Sequence, residues 1–161
     1  MTPLWTIYQS PLLGPLTLVG DKDRLSGLLF SESTPGPGEE GRDPGAFCDA
    51  TRQLSEYFMG LRRRFELDLD LDGTPFQRAV LEQLAGLAYG DKVSYTELAG
   101  LVGRPHSVRA VAGAVARTPI PVVIPCHRVV GANGALTDYL GGLRRKAALL
   151  SLERQVAGTP P

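Results

Sequence analysis

Cysteine and histidine are scarce in this chain, with two of each. Two cysteines allow at most one disulfide, which excludes a disulfide-stapled scaffold and favours a reducing compartment. No Cys/His cluster has metal-ligand spacing, so no metal site and no cofactor are expected. A secretory leader pattern and an apolar run of membrane-spanning length are both missing, so a cytoplasmic protein with no membrane partner is expected. Net charge is zero, which argues against a chain basic over its whole surface.

The charge is unevenly spread. Residues 1–90 hold eight Lys/Arg against thirteen Asp/Glu, whereas residues 91–161 hold nine against four. A net of −5 therefore precedes a net of +5, and a phosphate backbone would be met by the second half. A chain of 161 residues can bury a core as one domain or two small ones. We place a boundary near Asp72-Gly73, giving an N-terminal domain over 1–72 and a C-terminal domain over 73–161.

In the first part, Leu4 to Gln9, Leu16 to Val19 and Leu25 to Phe30 read as short strands separated by Gly14-Pro15 and a polar turn over residues 20–24. Ser31 to Gly45 is rich in Pro, Gly and Glu and reads as a surface loop. Asp43-Pro44 is expected to open a helix whose apolar stripe is Phe47, Ala50, Leu54, Tyr57 and Phe58, with Cys48 off the stripe. Phe65 to Leu71 alternates apolar and acidic residues and is predicted as a strand with one face buried.

In the second part, Thr74-Pro75-Phe76-Gln77 predicts a helix start closed by a capping box, running to about Gly86. Ser94 and Glu97 repeat the pattern for a helix ending at Gly103, and a third helix is predicted from His106 or Ser107 to about Arg117, stopped by Pro119. Two short helices joined by a tight turn form a helix-turn-helix outline, which also occurs as plain packing. The third helix is unusual in its small residues Ala110, Ala112, Gly113, Ala114 and Ala116, which would let it lie close against a groove. The fold class is thus α+β: a small antiparallel sheet with a helix, then a helical domain with a helix-turn-helix.

One of the two cysteines and one of the two histidines stand side by side in Ile124-Pro125-Cys126-His127-Arg128-Val129-Val130. A thiol becomes nucleophilic on losing its proton, and an imidazole and arginines nearby favour that loss. The same residues are compatible with an inert buried cysteine, because neighbours on a strand face opposite ways. They are also compatible with a cysteine hydrolase.

The wider pattern is more specific. Pro-Cys-His-Arg-Val at 125–129 is followed by Tyr139 with Gly141-Gly142, then Lys146, then Leu149-Leu150 and Glu153. The run from Arg109 to Glu153 resembles the core signature of the O6-alkylguanine-DNA alkyltransferases, and residues 89–105 resemble the helix-turn-helix of that family, while the N-terminal part matches loosely. The resemblance implies a ribonuclease H-like first domain. It implies a monomer that binds double-stranded DNA carrying alkylated guanine and moves the alkyl group irreversibly to Cys126, with no cofactor. His127 would be the base, acting through a water, and Glu153 would orient it. Tyr95, Pro121, Val129, Tyr139, Leu140 and Lys146 would form the pocket for the flipped base. Ser107, Arg109, Ala110, Ala112 and Gly113 would meet the minor groove, with Arg109 entering the base stack. Flipping is needed because the lesion cannot be reached inside a duplex.

The chain departs from the family pattern at three places. Thr118 stands where Asn is usual, Asp138 adds a negative charge where Gly or Asn is common, and Leu140 replaces a small residue. Leu140 is expected to narrow the alkyl pocket and favour methyl over bulkier groups. Together the departures leave an alternative, a protein that binds alkyl lesions or regulates through DNA without transferring the group.

Overall fold

The computed structural model describes residues 2–22, 24–31 and 37–158, and the chain divides into two compact units, Met1–Leu71 and Asp72–Pro161.

The first unit is built on three antiparallel strands in the order β1-β2-β3, with β1 at Leu4–Ser10, β2 at Gly14–Gly20 and β3 at Leu25–Phe30. The Ser10 side chain closes the β1–β2 turn by accepting from the Leu13 N–H and donating to the Gly14 carbonyl. Leu16, Leu18 and Leu28 are almost wholly buried, as are Leu54 and Tyr57 of α1, Cys48–Phe58. Each such side chain removed from water contributes about 1.5–3 kcal/mol, so the sheet and α1 share one core.

Two expectations for this unit are corrected. The helix starts at Cys48, not at Asp43-Pro44. The Asp43 carboxylate accepts from the Gly45 N–H and its carbonyl from the Ala46 N–H; an Asx turn competes with helix initiation and holds these residues in a turn. Phe47 then takes a left-handed backbone, φ 61°, before the chain enters α1. The segment 65–71 does alternate, with Phe65, Leu67, Leu69 and Leu71 half-buried and Glu66, Asp68 and Asp70 exposed. It nevertheless forms no ladder: its link to β3 is a single parallel bridge, Leu25 to Leu69. Part of the Pro/Gly/Glu-rich loop, residues 32–36, lies outside the described residues.

The second unit is helical apart from one pair of two-residue strands. Helix α2, Pro75–Ala85, is capped by Thr74, whose hydroxyl accepts from the Gln77 N–H at 3.1 Å. The capping box expected here is only half made, because the Gln77 side chain turns away and donates to the Ala114 carbonyl. Strand β4, Val93–Ser94, pairs in parallel with β5, Val129–Val130. Helix α3, Tyr95–Val102, has the complete capping box of Ser94 and Glu97 and ends at Gly103 with φ 82°, a left-handed cap that favours glycine. After a turn over residues 103–107 comes α4, Val108–Ala116, then a long loop through Cys126, and finally α5, Leu143–Ala157. Val80, Leu84, Leu98, Val111, Ile120 and Leu149 pack at the centre and are fully buried.

Among the described residues, no helix is long and apolar enough to cross a membrane, and no group of His, Cys, Asp or Glu could hold a metal ion.

Candidate active site

Cys126 opens a single 3-10 turn, Cys126–Arg128, that leads directly into β5. The approach is strained. Pro121 to Ile124 is a tight turn in which Val122 has φ 74°, a conformation that a β-branched residue rarely adopts. It delivers the sulfur to a small cleft lined by Tyr95, Val115, Ala116, Cys126, Asp138, Tyr139 and Leu140, with about 10 Å³ of free space. That is room for roughly one water molecule.

Tyr95 is the first residue of α3, placed by the capping box beneath it. Tyr139 and Leu140 sit on the turn closed by the Gly142 N–H on the Tyr139 carbonyl at 2.9 Å, and Gly142 has φ 91°, which favours glycine at the entry to α5. Lys146, one turn into α5, is fully buried and reaches back to donate to the Asp138 carbonyl at 2.7 Å. Its ammonium also lies 5.9 Å from the centre of the Tyr95 ring. It thereby ties this loop, and α3 behind it, to α5.

Behind the sulfur lies a buried polar cluster. His127 Nε2 is 2.6 Å from Glu153 Oε2, and Arg128 donates to both oxygens of the same carboxylate, from Nε at 2.8 Å and Nη2 at 2.9 Å. Gly90 N–H adds a fourth bond, and the remaining Arg128 nitrogen donates to the Leu87 carbonyl at 2.7 Å. A bidentate guanidinium on a carboxylate is among the strongest geometries for a buried charge. Burial would raise the Glu153 carboxyl, but the hydrogen bonds from His127 and Arg128 and their charges hold it well below the usual carboxylate range. Burial pushes the His127 imidazole down, partly offset by Glu153, so it rests neutral. With Nε2–H donating to Glu153, Nδ1 is the basic nitrogen. It is buried and has no hydrogen-bond partner.

Burial also dominates at Cys126, pushing the thiol up to about 12. Hydrogen bonds from Thr118, from its own backbone N–H and from Tyr139, with the charge of Lys146, pull the other way without cancelling it. Tyr95 is raised by burial too, eased by a hydrogen bond with Thr137 and raised further by Asp138 and Cys126, so its phenol keeps its proton at neutral pH. The resting site therefore holds a protonated thiol beside a neutral imidazole. An alkyl carbon placed at Sγ would find a nucleophile, a basic nitrogen oriented by a carboxylate, and phenolic donors.

The fold thus brings together Cys126, His127 and Glu153, and around the cleft Tyr95, Tyr139 and Leu140. Pro121 and Val129 are buried and lie outside the cleft lining. On α4, Arg109 and Ala110 are exposed, Ser107, Ala112 and Gly113 are half-buried, and Val111, Ala114 and Val115 face the core. Ser107 precedes the helix without capping it through its side chain.

Sequence reasoning missed Val115 and Ala116, which carry the end of α4 to the cleft, and Arg117, whose guanidinium lies over Gly113, 3.4 Å from where a Cβ there would stand. Thr118, 2% exposed, donates from its hydroxyl to the Val115 carbonyl at 2.7 Å, at the end of α4 that lines the cleft. Its small size relative to the expected Asn was the only signal.

Residues 4–71 match the family described as 6-O-methylguanine DNA methyltransferase, ribonuclease-like domain, and residues 75–155 match the DNA binding domain of the same description. A methylated-DNA–protein-cysteine methyltransferase of Mycobacterium bovis is 46% identical over 147 residues, covering 90% of this chain and 89% of that protein. The crystal structure of the Mycobacterium tuberculosis O6-methylguanine methyltransferase superposes with a TM-score of 0.91 at 43% identity, covering 99% of this chain and 97% of that one. A structure from the same organism in complex with DNA superposes with a TM-score of 0.89 at 43% identity, covering 94% and 93%.

Proposed function

The chain belongs to the 6-O-methylguanine DNA methyltransferase family, and from that premise we propose that it repairs O6-alkylguanine in double-stranded DNA by moving the alkyl group to Cys126. The observation that carries the assignment is the buried run from Cys126 through His127 to Glu153, closed by a hydrogen bond of 2.6 Å. A nucleophile, a base and an orienting carboxylate stand in sequence.

His127 Nδ1 takes the thiol proton through a water, and Glu153, already ionised, stabilises the imidazolium that results. The thiolate then displaces guanine in line: the S–C bond forms as the C–O6 bond breaks, and the bonding pair leaves on the base. Tyr95, kept protonated by its surroundings, donates a hydrogen bond to the departing guanine anion before it takes up a proton. The S–C bond of a thioether is not exchanged by thiols as an S–S bond is, so the product does not revert. Each molecule acts once.

Tyr139, Leu140 and Lys146, with Pro121 and the Val129 carbonyl, form the pocket once the base has entered. Guanine is far larger than the resting free space, so the Tyr139–Leu140 turn and the end of α4 separate to admit it. Exposed Arg109 and Ala110 with Ser107, Ala112 and Gly113 make up the groove-facing side of α4, and Arg109 fills the space the flipped base leaves, as a planar cation can. The protein acts as a monomer in a reducing cytoplasm, where a free thiol survives.

The test is intact-protein mass spectrometry after incubation with excess duplex carrying one O6-methylguanine. A single methyl gain on the wild type, mapped to Cys126 and absent from Cys126→Ala and from an undamaged-duplex control, is the expected result. Tighter binding of the damaged duplex with no mass gain would overturn transfer in favour of lesion sensing.

A further inference from the structure

The hydrogen bonds that hold the Glu153 carboxylate reach it from two separate segments. His127 Nε2 and Arg128 Nη2 meet Oε2, and Arg128 Nε meets Oε1, all from the 3-10 turn behind the sulfur. The Gly90 N–H meets Oε1 at 3.2 Å from the loop between α2 and β4. A carboxylate held from one segment tilts with that segment. A donor from elsewhere on the oxygen that does not face His127 fixes which oxygen does.

The loop is itself fastened to the site. The Leu87 carbonyl accepts from Arg128 Nη1 at 2.7 Å, and the guanidinium carbon of Arg128 lies 5.5 Å from the centre of the Tyr89 ring. Beyond Gly90 the chain enters β4, which pairs with β5 directly after Arg128, and then reaches Tyr95 at the cleft. One short loop thus serves both the carboxylate behind the sulfur and a phenol in front of it.

The approach of Gly90 to α5 depends on its having no side chain. Glu153 and Ala157 are four residues apart on that helix and share a face, and Gly90 lies against both. A Cβ on Gly90 would stand 2.8 Å from the Ala157 Cβ, well inside the roughly 3.5–4.0 Å at which carbon atoms pack. Its φ of 82° also disfavours alanine.

We propose that Gly90 is a positioning residue for transfer: its N–H holds the Glu153 carboxylate with Oε2 toward His127, and the closeness this requires admits no side chain. The proposal rests on the reading of Cys126 as acceptor and His127 as its base. Gly90 acts through Glu153, which stabilises the imidazolium as the thiol proton arrives. A carboxylate shifted from His127 leaves a weaker base, and attack slows wherever the protein must remove that proton. At higher pH, hydroxide takes the proton instead and the position of Glu153 matters less. The other ionisable groups acting on this pair are Arg128, Lys146 of α5 and Tyr139 of the preceding turn, and all are kept in the variants that follow.

The experiment compares wild type, Gly90→Ala, Ala157→Gly and the double variant in single-turnover transfer from an O6-methylguanine duplex, near pH 7 and near pH 9. Thermal unfolding, affinity for an undamaged duplex and mapping of the methyl accompany it. Gly90→Ala is expected to slow transfer about 10- to 100-fold near pH 7, the span of one hydrogen bond to a charged group. Its duplex affinity should stay within about twofold of wild type, and its deficit should narrow near pH 9. Ala157→Gly, which makes room for the added Cβ, should by itself keep the rate within about threefold and should speed Gly90→Ala by about fivefold or more. A folded Gly90→Ala with the wild-type rate, or one slowed equally at both pH values, would overturn the positioning role, and so would a double variant as slow as Gly90→Ala. Should Gly90→Ala not fold, hydrogen exchange in the wild type decides: the Gly90 amide is expected to be protected, and exchange as fast as that of an open loop would overturn the contact. A methyl mapped away from Cys126 in the wild type would overturn the acceptor reading, an outcome that exchange at Gly90 does not touch.

Discussion

Replacing Glu153 by Gln keeps the shape of the side chain and removes the charge on which three of the shortest contacts in the site converge. The carboxylate accepts from His127 at 2.6 Å and from Arg128 at 2.8 and 2.9 Å, and it is 1% exposed. In Glu153→Gln one oxygen becomes an NH2 group that can only donate, aimed at groups that also donate, and the Arg128 guanidinium is left buried without a counter-charge. Breaking a buried ion pair from one side costs about 3–5 kcal/mol. Against a total stability of roughly 5–15 kcal/mol, the variant folds but with little in reserve. At about 2–4 °C per kcal/mol for a protein of this size, melting should fall by about 6–20 °C. The pH dependence has a definite sign. The folded carboxyl is held below its ordinary value of 4.5, so the stability it contributes is present above that value and is lost as pH falls through the folded one. The gap between wild type and Glu153→Gln should thus be widest near pH 7 and narrow in acid. Urea unfolding at both pH values checks this, and a gap under about 1 kcal/mol at pH 7, or one that does not narrow, would refute the assignment of Glu153 as the anchor. Arg128→Met added to Glu153→Gln should recover part of the loss by removing the stranded charge.

Two further outcomes follow from the same geometry. Iodoacetamide at neutral pH and without DNA should label exposed Cys48 and leave Cys126 unmodified, because Cys126 is buried and its thiol is pushed up to about 12; peptide mapping by mass spectrometry reads the result, and fast labelling of Cys126 would contradict the resting state described. Leu140, 38% exposed and lining the cleft, should restrict bulky adducts, so Leu140→Ser is expected to raise the ratio of benzyl to methyl transfer rates about tenfold or more, and an unchanged ratio in paired single-turnover assays would remove Leu140 from the specificity determinants.

Local chemistry made much of this legible. The strands of the first unit were readable from apolar runs between turn residues, and α3 from Ser94, Glu97 and Gly103, because those signals act within a few residues of themselves. Where a local signal had a local competitor, reading failed: Asp43 caps a turn through Gly45 instead of a helix. Where the outcome depended on distant partners, it failed again. Phe65 to Leu71 has a strand's alternation but finds only one bridge on β3, and Gln77 leaves its capping box for the Ala114 carbonyl 37 residues away. The site divides in the same way. Cys126-His127 announces itself, whereas Tyr139, Lys146 and Glu153 were reachable only through the family resemblance, since nothing in their spacing shows that Lys146 bonds Asp138 or that Arg128 and His127 share one carboxylate. Thr118 was visible as a departure, but its hydrogen bond to the Val115 carbonyl belongs to the fold.

The tightness of the cleft has a consequence for supply. Its free space of about 10 Å³ suits a thiol, but a sulfur that has taken a methyl group fills it, and one that has taken anything larger must push Leu140, Tyr139 or Ala116 aside. Overpacking of that kind costs about 1–3 kcal/mol, in a protein whose whole margin is a few times greater. A spent molecule is then expected to unfold more easily than a fresh one, which comparing the melting of methylated and unmodified protein checks. Repair capacity would be set by how quickly the cell synthesises new chains, with no turnover rate to set it.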